Sequence, residues 1–197
     1  MKRIVNVRGT NGSGKTTLAR AIMAKLVKVK SYTTKNGVLT TVFQHPHQES
    51  QIVFIGKYDG PTCGGVDTVK SVRDCVAAVA EVSAFADVFL EGLILSSLQQ
   101  LAKDIADASA AHATFHAITL STSKEQCIAQ TLKRRELAGN DKPFDPAKSL
   151  LPKHRAVELA AAKLKSWNMD SVVLSQKDAF KATCTLFNLP LSATDAL

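Results

Sequence analysis

Acidic residues are missing from the first quarter of the chain. No Asp or Glu precedes Glu49, while that stretch holds Lys2, Arg3, Arg8, Lys15, Arg20, Lys25, Lys28, Lys30 and Lys35. The rest is nearly neutral, so the formal net charge of +8 originates there, with a milder basic excess from Lys124 to Arg155. Two readings fit this imbalance: lysines decorating solvated helix faces, or a polyanionic partner larger than a nucleotide, such as nucleic acid. Cysteine is scarce, and Cys63, Cys75, Cys127 and Cys184 show no C-x-x-C spacing. That excludes a disulfide scaffold or zinc ribbon and reads as reduced intracellular thiols. No apolar run approaches the roughly 20 residues of a membrane helix. The first residues enter a strand pattern directly, leaving no room for a signal peptide, so a cytoplasmic location is expected. His45 and His47 stand two apart with no Cys or third His nearby. A turn around Pro46 suits them better than a metal site.

The most informative stretch that is present runs Gly9-Thr10-Asn11-Gly12-Ser13-Gly14-Lys15-Thr16, followed by Thr17. This is the G-x-x-x-x-G-K-T spacing of a P-loop. Ile4, Val5 and Val7 before it suit a buried strand; Leu18, Ile22, Leu26 and Val29 after it recur at helical spacing. Strand, glycine turn and helix form the context the motif requires. The glycines let the backbone turn tightly and aim several N–H groups at one anion, and the helix N-terminus adds its own. Lys15 reaches β- and γ-phosphate oxygens, and the Thr16 hydroxyl is a Mg²⁺ ligand. The chain is therefore expected to bind ATP and Mg²⁺ through Gly9 to Thr17.

Strand and helix patterns alternate along the 197 residues without repeat or linker. The expected fold is an α/β three-layer sandwich: one domain, 1–197, with a mostly parallel sheet and helices on both faces. Ser31 to Gly37 reads as a polar loop, and Val38 to Phe43 and Gln51 to Ile55 as strands. Lys57 to Thr68, with Gly60, Pro61, Gly64 and Gly65, reads as a loop studded with charged and hydrogen-bonding groups. Asp67 and Thr68 stand where they can cap a helix whose buried stripe is Val69, Val72, Val76 and Val79. A catalytic role for Asp67 is compatible with capping. Asp87 to Glu91 is an apolar strand ending in an acid, the pattern by which P-loop proteins bring a carboxylate to Mg²⁺.

Beyond it, Leu95, Leu98, Leu101 and Ile105 stripe one helix, and Thr114 to Leu120 reads as a strand. Ser121 to Gln126 carries a capping box for a helix through about Leu137, which ends in Lys133-Arg134-Arg135. Ala138 to Pro146 is a loop. A helix bearing Val157, Ala160, Leu164 and Trp167 follows, then a strand at Ser171 to Leu174. The last helix starts at Ser175 and Asp178, with Phe180, Cys184 and Phe187 inward.

No N-K-x-D or D-x-x-G occurs, which disfavours a GTPase, and no L-S-G-G-Q of a transporter ATPase. The order of strand, basic-ended helix, loop and long helix resembles thymidylate kinase and other nucleoside and nucleotide kinases. That resemblance implies a lid at about 133–146, with Arg134 and Arg135 placed to act on transferring phosphate. A solvated basic helix end is the bland account of either arginine. The D-R pair of thymidylate kinases is absent. Glu91-Gly92 and the Gly60 to Asp67 loop stand instead, and the combination resembles small bacteriophage P-loop kinases of the thymidine-hypermodification pathway. Those phosphorylate the hydroxymethyl group of 5-hydroxymethyluracil already in DNA.

The resemblance implies an ATP-dependent kinase in the host cytoplasm whose partner is DNA containing a modified pyrimidine. An alcohol acceptor needs a base, for which Asp67 and Glu91 are the candidates; Asp67 is favoured because Glu91 suits the metal. Lys57, Tyr58 and Arg73 are candidates for the acceptor side. A free deoxynucleoside monophosphate kinase and an NTP-driven binding or switch protein are the alternatives. The acid-free N-terminal quarter favours the DNA-base kinase.

Overall fold

The computed structural model describes residues 1–58 and 64–192. Its frame is one seven-stranded sheet. The first strand, β1 (Lys2–Arg8), lies inside the sheet between β5 (Asp87–Glu91) and β6 (Ala113–Leu120), parallel to both. In register, Val7 stands opposite Glu91 on one side and Ile118 on the other. Next to β5 comes β4 (Gln51–Ile55), also parallel, and next to β6 comes β7 (Ser171–Leu174). Only β3 (Leu39–Gln44) runs antiparallel to both its neighbours, β4 and β2 (Val27–Thr33). The result is the three-layer α/β architecture expected of a P-loop kinase.

Strand periodicity sorts the core. On one face Val5, Val7, Phe54 and Phe89 pack under α1 (Lys15–Met23) and α8 (Gln176–Leu186), against Leu18, Ile22 and Phe180. On the other, Ile4, Val88 and Leu90 meet α2 (Val72–Ser83), α4 (Gln99–Ser109) and α7 (Leu151–Ser166), through Val79, Ile105 and Leu164. Runs buried on both faces, such as Val88-Phe89-Leu90, are what a parallel sheet covered by helices demands. Among the described residues no helix is long and apolar enough to cross a membrane.

Three expectations need correction. The first helix ends at Met23, not Val29, and Val27 to Thr33 forms β2 instead of the tail of a helix and the start of a loop. Val27 and Val29 alternate with Lys28 and Lys30, a period of two, and both valines stay more than half exposed. No buried stripe held this segment in a helix, and pairing with β3 satisfied its backbone. Lysines on an edge strand also discourage pairing with another chain. Second, the helix expected over Leu95 to Ile105 is two: α3 (Leu93–Ser97) and α4, broken at Leu98, which is extended and 44% exposed.

Third, α2 is capped by Ser71, whose hydroxyl accepts from the Asp74 N–H. Asp67 and Thr68 lie instead in a 3₁₀ turn, Val66–Thr68, separated from α2 by extended Val69. The remaining helix starts agree with the sequence. Ser123 and Gln126 form the reciprocal capping box of α5 (Lys124–Leu137), Asp145 caps the short α6 (Pro146–Ser149) through Ala147 N–H, and Ser175 caps α8 through Asp178 N–H. His45 is buried in a turn, its ring bonded to Asn188 O and His47 N–H. Cys75, Cys127 and Cys184 are buried and form no disulfide among the described residues; Cys63 lies outside them.

Candidate active site

The turn from β1 into α1 wraps a hollow of about 420 Å³ at the carboxyl end of the sheet. Asn11, Gly12, Ser13, Gly14, Lys15, Thr16 and Thr17 line one side of it. The backbone here depends on glycine. Gly12 has φ +74, and a Cβ on it would stand 2.3 Å from the Cys127 carbonyl oxygen and 2.8 Å from Thr131 Oγ1 of α5. Gly9 and Thr10 do not line the hollow, but their carbonyls accept from Lys15 Nζ at 2.8 and 3.0 Å. Loop and lysine are thus positioned together, as a phosphate cradle requires.

Lys15 is 8% exposed. Burial pushes its ammonium pKa down, opposed by the nearby Glu91 and Asp67 carboxylates and reinforced by Arg134. Glu91, at the end of β5, is 3% exposed, and burial raises its pKa to about 7. Lys15 and a hydrogen bond with the Thr16 side chain pull the other way, while Asp67 pushes up. Oε1 of Glu91 is buried with no partner in the protein. A buried carboxylate oxygen left unmade is costly, and beside the Thr16 hydroxyl it fits the donor set of Mg²⁺, which takes one or two carboxylates and completes its shell with phosphate and water. No group of three or more His, Cys, Asp or Glu among the described residues forms a self-sufficient metal cage.

Asp67 does cap a helix, though a different one from that expected. Its Oδ2 accepts from Leu93 N–H at 2.8 Å and its Oδ1 from Ile94 N–H at 2.9 Å, at the start of α3. The carboxylate is exposed and lines the hollow with Gly64 and Glu91. A close approach makes this possible. Gly65 has φ +48, and a Cβ there would meet the Glu91 carbonyl oxygen at 2.3 Å and Oε1 at 2.8 Å. The loop can therefore lie directly on the end of β5, with both carboxylates facing one space.

The two arginines part company. Arg134 lines the hollow. Arg135 donates to Asn140 Oδ1 at 3.2 Å and to the Lys142 carbonyl, and its guanidinium lies over the Phe144 ring at 5.4 Å. It organises the segment after α5, and does not reach the hollow. Nor do the three acceptor-side candidates. Lys57 bridges to Gly65, Tyr58 is buried against Phe54 and Phe89, and Arg73 is exposed on the first turn of α2. Of the loop singled out in the sequence, Asp59 to Cys63 lie outside the described residues.

Sequence reasoning missed Arg20 and Gln130, which line the hollow. Both carried a signal: Arg20 follows Thr16 by one helical turn, and Gln130 precedes Arg134 by one. It also missed the support of the P-loop from α3. Ser96 Oγ accepts from Gly9 N–H at 3.0 Å and donates to the Gly92 carbonyl. The wholly buried Arg8 donates to Ser96 O at 2.8 Å and Asn6 Oδ1 at 3.0 Å, its pKa lowered to about 10 by burial. From the other side, Thr122 Oγ1 donates to Ser13 O at 2.8 Å. Loop, β5 end and α5 start are pinned to one another.

Chemically the hollow offers backbone amides and a lysine for phosphates, a buried carboxylate beside a hydroxyl, an accessible oriented carboxylate, and an arginine. The family described as 5-hmdU DNA kinase matches residues 2–146. The chain is also similar to the 5-hmdU DNA kinase of Pseudomonas phage PaMx11, with 29% identity over 198 residues, covering 92% of this chain and 95% of that protein.

Proposed function

Because this chain belongs to the 5-hmdU DNA kinase family, we propose that it phosphorylates the hydroxymethyl group of 5-hydroxymethyluracil in DNA, with ATP as donor. The observation that carries the chemistry is the gathering of Lys15, Thr16, Asp67, Glu91 and Arg134 around one hollow under the P-loop. The amides of Asn11 to Thr17 and Lys15 hold the triphosphate. Thr16 and Glu91 would hold Mg²⁺, which would supply neutralisation of the phosphate charge.

The acceptor oxygen attacks the γ-phosphorus, the bond from that phosphorus to the bridging oxygen breaks, and ADP leaves with its electron pair. Asp67 takes the hydroxyl proton. Its exposure, and the two amides that fix its orientation, suit it to that role better than buried Glu91. Arg134 stabilises the charge spread over the transferring group. The whole chain acts as one kinase domain, in which residues 133–146 form a lid that Arg135 keeps ordered from below. A base within a duplex must leave the stack to be reached, and the acid-free N-terminal quarter holds the DNA backbone by charge. The enzyme works in the cytoplasm of the infected host.

The test is an acceptor screen with γ-labelled ATP. Label should pass to DNA containing hydroxymethyluracil and not to plain DNA. Label on free deoxynucleotides but not on modified DNA refutes the acceptor. ATP hydrolysis with no labelled acceptor refutes the kinase reading itself.

A further inference from the structure

The phosphate hollow is walled by charged and polar groups and by glycine backbone, which suits a triphosphate and leaves a nucleobase without an apolar wall. On the other side of the P-loop lies a larger cavity, about 600 Å³, between the carboxyl end of β6 and α7. Leu120, Val157 and Ala161 supply apolar surface. Thr10, Ser13 and Thr119 also line it. Each is at most 4% exposed, and its buried hydroxyl has no hydrogen-bond partner in the protein. Buried hydroxyls are ordinarily paired, so three unpaired ones behind one cavity wall leave donors and acceptors that a bound ligand can draw to the surface by a change of rotamer.

We propose that this cavity receives a neutral nucleobase. Its size lies within the range of roughly 300–1,000 Å³ typical of small-molecule sites. The charges at its margin, Lys124 and Lys165 against Glu125 and Glu158, are exposed and balanced in sign, which does not suit a phosphate. Hydroxyls both donate and accept, as the edge of a base requires, and apolar side chains cover its faces. The cavity is also close to the transfer centre. Ser13 lines both spaces, and Thr10, whose side chain lines this one, accepts from Lys15 Nζ through its carbonyl at 3.0 Å. The inference rests on the phosphotransfer reading above. It leaves two sources for the base: the extruded acceptor base and the adenine of ATP.

The experiment plugs the cavity and measures both substrates separately. Ala162→Trp, at an exposed position on α7, covers the mouth, and Ala161→Leu fills the interior. A rise of tenfold or more in KM for hydroxymethyluracil DNA, with KM for ATP within twofold, assigns the acceptor base. The reverse pattern assigns adenine. Both constants within twofold of wild type, in folded variants, overturn the proposal. Should neither plugged variant fold, near-isosteric Thr119→Val gives the reading: a threefold to tenfold rise in one KM supports the site, and no change overturns it. Wild-type protein that labels no modified DNA defeats the acceptor assignment instead. The cavity is then judged by equilibrium binding of ATP and of free hydroxymethyldeoxyuridine, and equal binding to wild type and Ala162→Trp overturns it.

Discussion

Replacing Glu91 by glutamine is expected to make the metal-free protein more stable at pH 8 while removing its activity. Burial raises the Glu91 carboxyl pKa from the ordinary 4.5 to about 7. Folding therefore takes up a proton at this site. The unfavourable contribution is small below about pH 4.5, grows as the pH rises through the window up to about 7, and is complete above it. At about 1.4 kcal/mol per pKa unit the full effect is about 3 kcal/mol. Glutamine removes it, but also deprives Lys15 of the carboxylate that chiefly opposes its own desolvation. A net gain on the order of 1–2 kcal/mol remains, or roughly 2–8 °C in melting temperature for a chain of this size. The assay is thermal melting of both proteins in chelator without nucleotide, at pH 8 and pH 5. Near pH 5 the Glu91 contribution should shrink to under about 1 kcal/mol, and with it the gap between the proteins. A variant that melts below wild type at pH 8, or a gap that does not narrow on acidification, would refute the assignment of Glu91 as a carboxylate held ready for a cation at a cost in stability.

Four further outcomes are expected. The kcat/KM for phosphotransfer should fall as the pH drops through about 7, because protonated Glu91 cannot ligate Mg²⁺; a pH–rate profile of the wild-type protein checks this, and an acid limb that is absent near pH 7 refutes it. Asp67→Asn keeps one of the two oxygens that cap α3 but no base, so kcat should fall about 10²-fold or more with a smaller loss of stability than Asp67→Ala, which should lose about 0.5–2 kcal/mol by denaturation. Arg134→Ala should lower kcat by about 10³-fold, and Arg135→Ala by roughly tenfold at most, since only the first lines the hollow. Gly12→Ala should abolish ATP binding in calorimetry, because φ +74 and contact with the Cys127 carbonyl leave no room for a methyl group.

How far the sequence could be read depended on which physical signal each segment carried. The P-loop was legible because its spacing, β-branched approach and following helix each report the same local geometry, and β1, α1 and the hollow lie where these placed them. Glu91 was legible as the polar end of an apolar run. The capping boxes at Ser123 and Ser175 were equally plain, since capping is a short-range hydrogen bond written in adjacent residues. Asp67 shows the limit. That it can cap a helix was foreseen, yet the helix it caps starts 26 residues further on, at Leu93, a tertiary contact with no trace in local spacing. Tyr58 failed for the opposite reason. Polar neighbours suggested a binding loop, but its ring packs on Phe54 and Phe89, and burial of an aromatic outweighs the character of the residues around it. In β2, a helical and an alternating reading of the same valines competed, and edge pairing with β3 decided between them.

The place of β1 inside the sheet, flanked by β5 and β6, has a bearing on endurance. Every chemical group of the hollow is anchored to these three interior strands or to segments pinned on them, while the margins, β2 and β7, contribute none. Fraying that begins at the rim of a sheet must consume whole neighbours before it disturbs the cradle. Heat or mild denaturant should therefore erode the outer ribbons first and reach the cradle only when the interior gives way. In this protein loss of triphosphate binding should coincide with collapse of the core and not precede it.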